Sequence, residues 1–110
     1  MATQTQESAL LWEKGSYTFS AAGSQLVTVS LGSGQVGHPA VMKVFGTVSG
    51  TASIEYANSQ KVYGDCNPNA QPSETKIPKQ AFLSSTNSVS VTLDGDGAGT
   101  INVLIGFLPA

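Results

Sequence analysis

The sequence predicts a single all-β domain, an antiparallel two-sheet β-sandwich or jelly roll with a flexible N-terminal arm. Ser, Thr and Gly supply 36 of the 110 residues, and Val (10) outnumbers Leu (8) and Ile (4). This composition favours strands and tight turns over helices. Several segments alternate apolar and polar residues between turn residues, which is typical of half-buried strands. No segment combines a 3.6-residue apolar period with helix caps.

The N-terminal part of the chain divides into an arm and a first strand region. Residues 1–8 (MATQTQES) are polar and aperiodic, which predicts a flexible arm before one domain over residues 9–110. An apolar patch follows at residues 9–12, and Lys14-Gly15 predicts a turn. Residues 16–20 then alternate and place Tyr17 and Phe19 on one face.

The middle of the chain holds the clearest alternation. Strands are predicted over residues 25–31, 41–48 and 51–56. Ser49-Gly50 separates the last two of these, so the pattern predicts a hairpin with a two-residue turn. Residues 61–63 predict either a further short strand or an extension of that hairpin.

The C-terminal part begins with a long polar segment. Residues 64–79 contain three Pro residues and few apolar ones, which predicts a loop that is functional or contacts a neighbour. A weak strand is predicted over residues 81–83, and two clear strands span 88–108 with a turn at 94–99. The last strand is apolar on both faces, so it is either central in its sheet or packed on a partner.

Charge excludes several classes of protein. Only 11% of the residues are charged, the net charge is −2, and all five cations are Lys. A protein without Arg or a basic run has little with which to neutralise phosphates, so nucleic acid is not an expected partner. No apolar run approaches the ~20 residues that span a bilayer. The start lacks the features of a secretory signal, so we expect folding in a cytoplasm. A surface poor in charge suits a protein packed in an assembly.

No set of residues predicts catalysis, so we expect a non-enzymatic protein without cofactor or metal. His38 has no nucleophile or carboxylate at a suggestive spacing and is interpreted as a surface or loop-packing residue. Cys66 follows an Asp and is interpreted as a small loop residue, with a cross-subunit disulfide as the alternative. Asp94 and Asp96 lie in a Gly-rich segment that predicts a hairpin turn, and a shared cation is the alternative.

Five aromatic residues leave two interpretations open. They can form a platform on which sugars stack, or they can complete the core and ends of the sandwich, as aromatic residues on alternating strands usually do. The absence of paired carboxylates at strand ends argues against glycoside hydrolysis. The five residues are Trp12, Tyr17, Phe19, Tyr56 and Tyr63.

The run VFGTVSGTASIEYANS, residues 44–59, resembles a pattern in small virion proteins of tailed bacteriophages. In that pattern a strand ends in Gly-Thr, a Gly-containing turn and an alternating strand follow, and a long polar loop precedes two closing strands. The resemblance implies a β-sandwich that decorates or cements the capsid, or that belongs to the tail. It implies a homotrimer bound to the major capsid protein on the virion surface. The alternative function is a phage tail or fibre module, or a carbohydrate-binding sandwich.

Two apolar places are candidate contacts with a partner. One is the patch after the arm, and the other is the second face of the last strand. Trp is favoured at interface hot spots because it covers a large area at little entropic cost. For Leu104, completion of the sandwich core remains an equal alternative. The candidate partner-binding residues are Leu10, Leu11, Trp12, Leu104 and Leu108.

Overall fold

A computed structural model describes residues 10–56 and 59–109 of the chain. Eight strands dominate this part, and a short 3₁₀ helix, Lys79–Ala81, precedes the seventh. The predicted arm, residues 1–8, lies outside the described residues. The strands are Leu11–Phe19 (β1), Gly23–Ser30 (β2), Gly37–Gly46 (β3), Gly50–Tyr56 (β4), Gln60–Cys66 (β5), Ser73–Lys76 (β6), Ser88–Gly95 (β7) and Gly99–Pro109 (β8).

The strands form two antiparallel four-stranded sheets. The β1 sheet has the order β1-β8-β3-β6, and the β2 sheet has the order β2-β7-β4-β5. The pairs β1–β8, β2–β7, β3–β6 and β4–β5 arise when a chain folds back on itself at its middle and the resulting ribbon rolls up. This is the jelly-roll arrangement of an eight-stranded sandwich. The predicted fold class is confirmed.

The core lies between the sheets and consists of the inward residues of alternating strands. Because successive side chains point to opposite faces, every second residue of β7 is buried. The strands β3 and β8 follow the same alternation, except that the outward residues Val41 and Gly106 are buried as well and that β3 has a register shift between Pro39 and Val41. The β8 strand lies between β1 and β3, so it is central in its sheet, while its outward residues Leu104 and Leu108 remain half-buried. The largest fully buried side chains include Phe107, Met42, Ile54, Leu93, Ile101 and Ile105.

The predicted hairpin around Ser49-Gly50 is wrong. The strands β3 and β4 both form, but they lie in different sheets, so the connection crosses the sandwich. Backbone crowding accompanies this crossing, since a Cβ on Gly46 would clash with the Thr100 carbonyl oxygen. The turn at 94–99 was also predicted to form a hairpin, and it likewise crosses between sheets. Among the described strands, the one consecutive pair within a single sheet is β4–β5.

Three further local predictions are corrected. Gly15 is not in a turn but in the middle of β1, where a Cβ would lie 2.9 Å from Val29 Cγ2. The glycine therefore allows close packing of β1 on β2. The predicted loop 64–79 contains the end of β5 and all of β6. The predicted strand at 81–83 is replaced by the end of the 3₁₀ helix and irregular chain.

Candidate functional site

The outer face of the β1 sheet brings together four of the five predicted partner-binding residues. Trp12 pairs with Gly106, and Lys14 pairs with Leu104, so these positions share the outward side of the sheet. Leu108 belongs to the same alternating set on β8, and Leu10 directly precedes β1. We call this surface the docking face. It comprises Leu10, Trp12, Lys14, His38, Val41, Lys43, Phe45, Glu74, Lys76, Leu104, Gly106 and Leu108.

The indole of Trp12 lies across the docking face and not in the core. A Cβ built on Gly106 would lie 3.0 Å from Trp12 Cη2 and 3.0 Å from Leu10 Cδ1, so both side chains cover the glycine. Trp12 nevertheless keeps 36% of its surface exposed. A glycine at this position therefore allows a large side chain to lie against the sheet with one surface left to solvent.

Lysine side chains flank this apolar centre. Lys43 Nζ lies 4.9 Å from the centroid of the Trp12 ring, in a cation–π contact. The same ammonium lies 3.6 Å from Glu74 Oε2, and both side chains are partly exposed. Lys14 and Lys76 occupy the same face on the two edge strands. The docking face thus carries three lysines and one carboxylate.

A groove of about 530 Å³ continues the docking face beside Lys43. The half-buried side chains of Phe45 and Leu104 contribute its apolar surface. Polar groups on its rim can donate and accept hydrogen bonds. The groove is lined by Lys43, Phe45, Gln71, Pro72, Glu74 and Leu104.

Sequence reasoning did not select Lys43, Phe45, Glu74 or Gly106. Lys43 and Phe45 alternate with buried Met42 and Val44, and this alternation was a usable signal for a second face on β3. Glu74 could not be found in this way, because its place beside Lys43 depends on a pairing of β3 with β6 across 30 residues of chain.

The fifth predicted residue, Leu11, lies elsewhere. It pairs with Phe107 on the inward side of the β1 sheet but remains 37% exposed, because β1 is at the sheet edge. Leu104 is on the docking face and not in the core. Of the two interpretations of the aromatic residues, a place in the core holds for Phe19, which is buried, and for Tyr56, which packs partly buried against the core. It does not hold for Trp12, Tyr17 and Tyr63, which are exposed.

The outer face of the β2 sheet differs in chemistry. Its outward residues are mostly Ser and Thr, and its register rows include Tyr63 opposite Ser53. It carries the carboxylates of Glu55, Asp65 and Asp94, with Lys61 as the cation opposite Glu55. The two outer faces therefore have opposite charge balance.

Cys66 is the last residue of β5 and is buried in the core, so its interpretation as a loop residue is wrong. Burial raises the pKa of the Cys66 thiol. A buried, protonated thiol is a poor nucleophile, which argues against the cross-subunit disulfide.

His38 lies in β3 opposite Leu108 on the docking face, so it is a half-buried strand residue and not a loop residue. Its Nε2 atom is buried and makes no hydrogen bond with the described residues. The structure therefore places no general base or acid partner on this ring within the described part of the chain.

Asp94 and Asp96 lie in different surroundings. Asp94 accepts a hydrogen bond from the Ser24 hydroxyl on the outer face of the β2 sheet. Asp96 lies in the connection to β8, on the rim of a depression that also includes Asp65 and Asn67. Within residues 10–56 and 59–109, no three His, Cys, Asp or Glu side chains group closely enough to hold a metal ion.

No protein-family model matches the sequence, and no curated protein is significantly similar to it. In the described part of the chain, no helix is both long and apolar enough to cross a membrane.

Proposed function

We propose that this chain is a non-enzymatic virion structural protein that decorates or cements the capsid of a tailed bacteriophage. The docking face would bind the major capsid protein at the outer surface of the virion. The observation that carries the proposal is the position of Trp12, which lies over Gly106 with a third of its surface open and Lys43 beside it. The resemblance of residues 44–59 to small virion proteins of tailed bacteriophages is the reason for proposing a phage capsid as the partner.

Charge complementarity specifies the partner surface. Three lysines flank an apolar centre on the docking face, while the charged groups on the outer face of the β2 sheet are mainly carboxylates. An acidic protein surface with an exposed apolar patch would match the docking face and be repelled by the opposite one. Such a contact combines an apolar anchor with a polar rim, as specific interfaces do.

The test is co-sedimentation of the purified chain with expanded, undecorated capsids. Trp12→Ala removes the proposed anchor, and Tyr63→Ala removes an exposed aromatic ring from the opposite face as a matched control. We expect Trp12→Ala to weaken binding by about 2–4 kcal/mol, which is roughly 30- to 1,000-fold. Tyr63→Ala should bind as the unaltered chain does, and added salt should weaken binding of both.

Two results would contradict the proposal. One is capsid occupancy that Trp12→Ala leaves unchanged. The other is binding that Tyr63→Ala abolishes and Trp12→Ala does not. The homotrimer implied by the resemblance is tested separately, by light scattering of the free and the capsid-bound chain.

A second candidate function is carbohydrate recognition, and the groove beside Lys43 favours it. Sugars bind where an aromatic or apolar surface adjoins several hydrogen-bonding groups, and the groove supplies Phe45, Gln71 and the Lys43–Glu74 pair. A glycan array on the intact chain tests this candidate. Glycan binding that Gln71→Ala abolishes would favour it over capsid decoration, because Gln71 lines the groove but does not belong to the docking face.

A further inference from the structure

The four edge strands of the sandwich differ in how they are protected. An edge strand exposes unpaired backbone groups, and natural proteins protect such edges with charges, short length or covering groups. The β1 edge carries Glu13 and Lys14, and the β6 edge is four residues long with Glu74 and Lys76. The eight residues of β2, GSQLVTVS, contain no charge and no Pro, and their register with β7 has no bulge.

The two open sides of the sandwich also differ. On one side, Thr75 Oγ1 donates to the Tyr63 carbonyl and Ser73 Oγ donates to the Asp65 carbonyl, at 3.2 and 2.7 Å. These bonds tie β6 to β5 and satisfy carbonyls of the β5 edge. In the part of the chain that the structure describes, the other side, between β1 and β2, leaves apolar side chains open instead. Leu11 and Tyr17, on the inward side of β1, are 37% and 39% exposed there. Leu26 lies opposite Thr92 on the outer face of the β2 sheet and is 59% exposed at the same edge.

We propose that a second copy of this chain closes the side between β1 and β2. In this arrangement β2 pairs antiparallel with β2 of the second copy, about a two-fold axis centred on Leu26. The pairing would join residues 23–29 of both chains and place Leu26 directly opposite Leu26 of the second copy. The two β2 sheets would then form one continuous eight-stranded sheet. Gln25 Nε2 now donates to the Leu26 carbonyl over 3.3 Å, and strand pairing would replace this long contact.

A second copy fits this edge better than an unrelated strand for two reasons. A two-fold axis pairs the same patch with itself and closes the assembly. An uncharged strand meets its own copy without like-charge repulsion, which the Lys and Glu residues of the other edges would impose. Seven paired residues per copy, with Leu11 and Tyr17, would bury on the order of 1,000 Å² in total, so we expect a weak dimer with a micromolar Kd. This inference does not depend on the proposed docking to a capsid.

Sedimentation equilibrium of the full chain over a concentration series tests the inference. The unaltered chain should pass from one chain mass to two as concentration rises through the micromolar range. Leu26→Lys places two like charges at the two-fold axis and should hold the chain at the mass of one. Ser90→Lys adds the same charge to the same outer face on the interior strand β7, and it should associate as the unaltered chain does. Circular dichroism and thermal melting of both variants establish that they fold.

A disulfide trap tests the register. Under a mild chemical oxidant, Leu26→Cys should form a covalent dimer, because each thiol faces its own copy across the axis. Ser30→Cys, on the same strand and face, lies outside the paired span and should not. The buried thiol of Cys66 does not compete.

Three results would overturn the inference. They are a mass of one chain for the unaltered protein throughout the series, association that Leu26→Lys leaves unchanged, and a mass of three chains insensitive to Leu26→Lys. The last result would show that the chain associates through another surface.

Discussion

The substitution Gly106→Val tests the packing of Trp12 on the docking face without altering a core side chain. The Gly106 backbone is on β8, and its outward side is covered by Trp12 and Leu10. A Cβ alone would lie 3.0 Å from atoms of both side chains, closer than ordinary van der Waals contact. The two methyl groups of Val extend about 1.5 Å further, into the volume that the indole occupies. The ring must therefore lift from the sheet.

The size of the effect follows from the area that the ring covers. Trp12 is 36% exposed, so about 160 Å² of a side chain of roughly 250 Å² is removed from water. At about 25 cal/mol per Å², complete loss of this contact costs at most ~4 kcal/mol, and a compact unfolded state lowers that to ~3 kcal/mol. The higher strand propensity of Val returns up to ~1 kcal/mol. The net loss of stability is about 2 kcal/mol.

Melting temperature and fluorescence provide the assays. Unfolding entropy of about 2.1 cal/mol/K per residue, over 110 residues, gives roughly 4 °C per kcal/mol, so Tm should fall by about 8 °C. The chain contains one Trp, so its intrinsic fluorescence reports on position 12 alone. We expect a red-shifted emission maximum and faster acrylamide quenching for Gly106→Val.

The control is Gly97→Ala, because a Cβ at Gly97 has no atom within 4 Å. This variant should keep both the Tm and the emission spectrum of the unaltered chain. An unchanged emission spectrum and Tm for Gly106→Val would refute the placement of the indole over β8. A Tm loss without a spectral change would assign the cost to the strand and not to the docking face.

Three further predictions concern the core and the connections. Phe107 is fully buried, so Phe107→Ala should cost about 3–5 kcal/mol in urea unfolding, or prevent folding. Burial raises the pKa of the Cys66 thiol above its ordinary value of 9.0, so the folded chain retains a proton that the unfolded chain loses. Stability should therefore fall as pH rises from 9.0 towards the folded pKa, and the native thiol should react with a disulfide reagent much more slowly than the denatured one. Gly99 has a φ of +148°, and a Cβ there would lie 2.7 Å from Val48 Cβ. Gly99→Ala should therefore lower the free energy of unfolding by ~1–3 kcal/mol. Gly97→Ala should not.

The strands were predictable because each carries its own local pattern. Valine or leucine alternates with serine or threonine within 25–31 and 88–93, as a half-buried strand requires, and both strands form. The sheet to which each strand belongs was not predictable, because alternation specifies a buried face but not a pairing partner. Ser49-Gly50 has the chemistry of a hairpin turn, yet β3 and β4 separate into different sheets. Gly15 is a similar case, because the sequence does not show whether a glycine lies in a turn or allows close packing inside a strand, as it does here.

The docking face was half predictable for the same reason. Leu10, Trp12, Leu104 and Leu108 were selected from the sequence because they are apolar residues that a single buried face does not account for. These residues lie on one surface because β1 pairs with β8, and this pairing brings together positions about 90 residues apart, which the sequence alone does not show. Lys43 became part of the face through β3, and only the folded arrangement brings its ammonium to the Trp12 ring.

The two proposed contacts would reinforce each other. Residues directly opposite in a strand pair share a face, so a two-fold axis through the β2 pair runs perpendicular to the joined sheet. Both β1 sheets would then lie on the same side of the dimer, and both docking faces would point in one direction.

A dimer could bind two sites on one surface, and a second contact made within the same complex commonly raises avidity by about 10²- to 10⁴-fold. Leu26→Lys should therefore reduce capsid occupancy at low chain concentration by a factor in this range, although it alters no residue of the docking face. Occupancy should recover at concentrations where single contacts suffice, whereas Trp12→Ala should remain impaired there. Equal capsid binding by Leu26→Lys and the unaltered chain at every concentration would show that β2 pairing does not contribute to capsid binding.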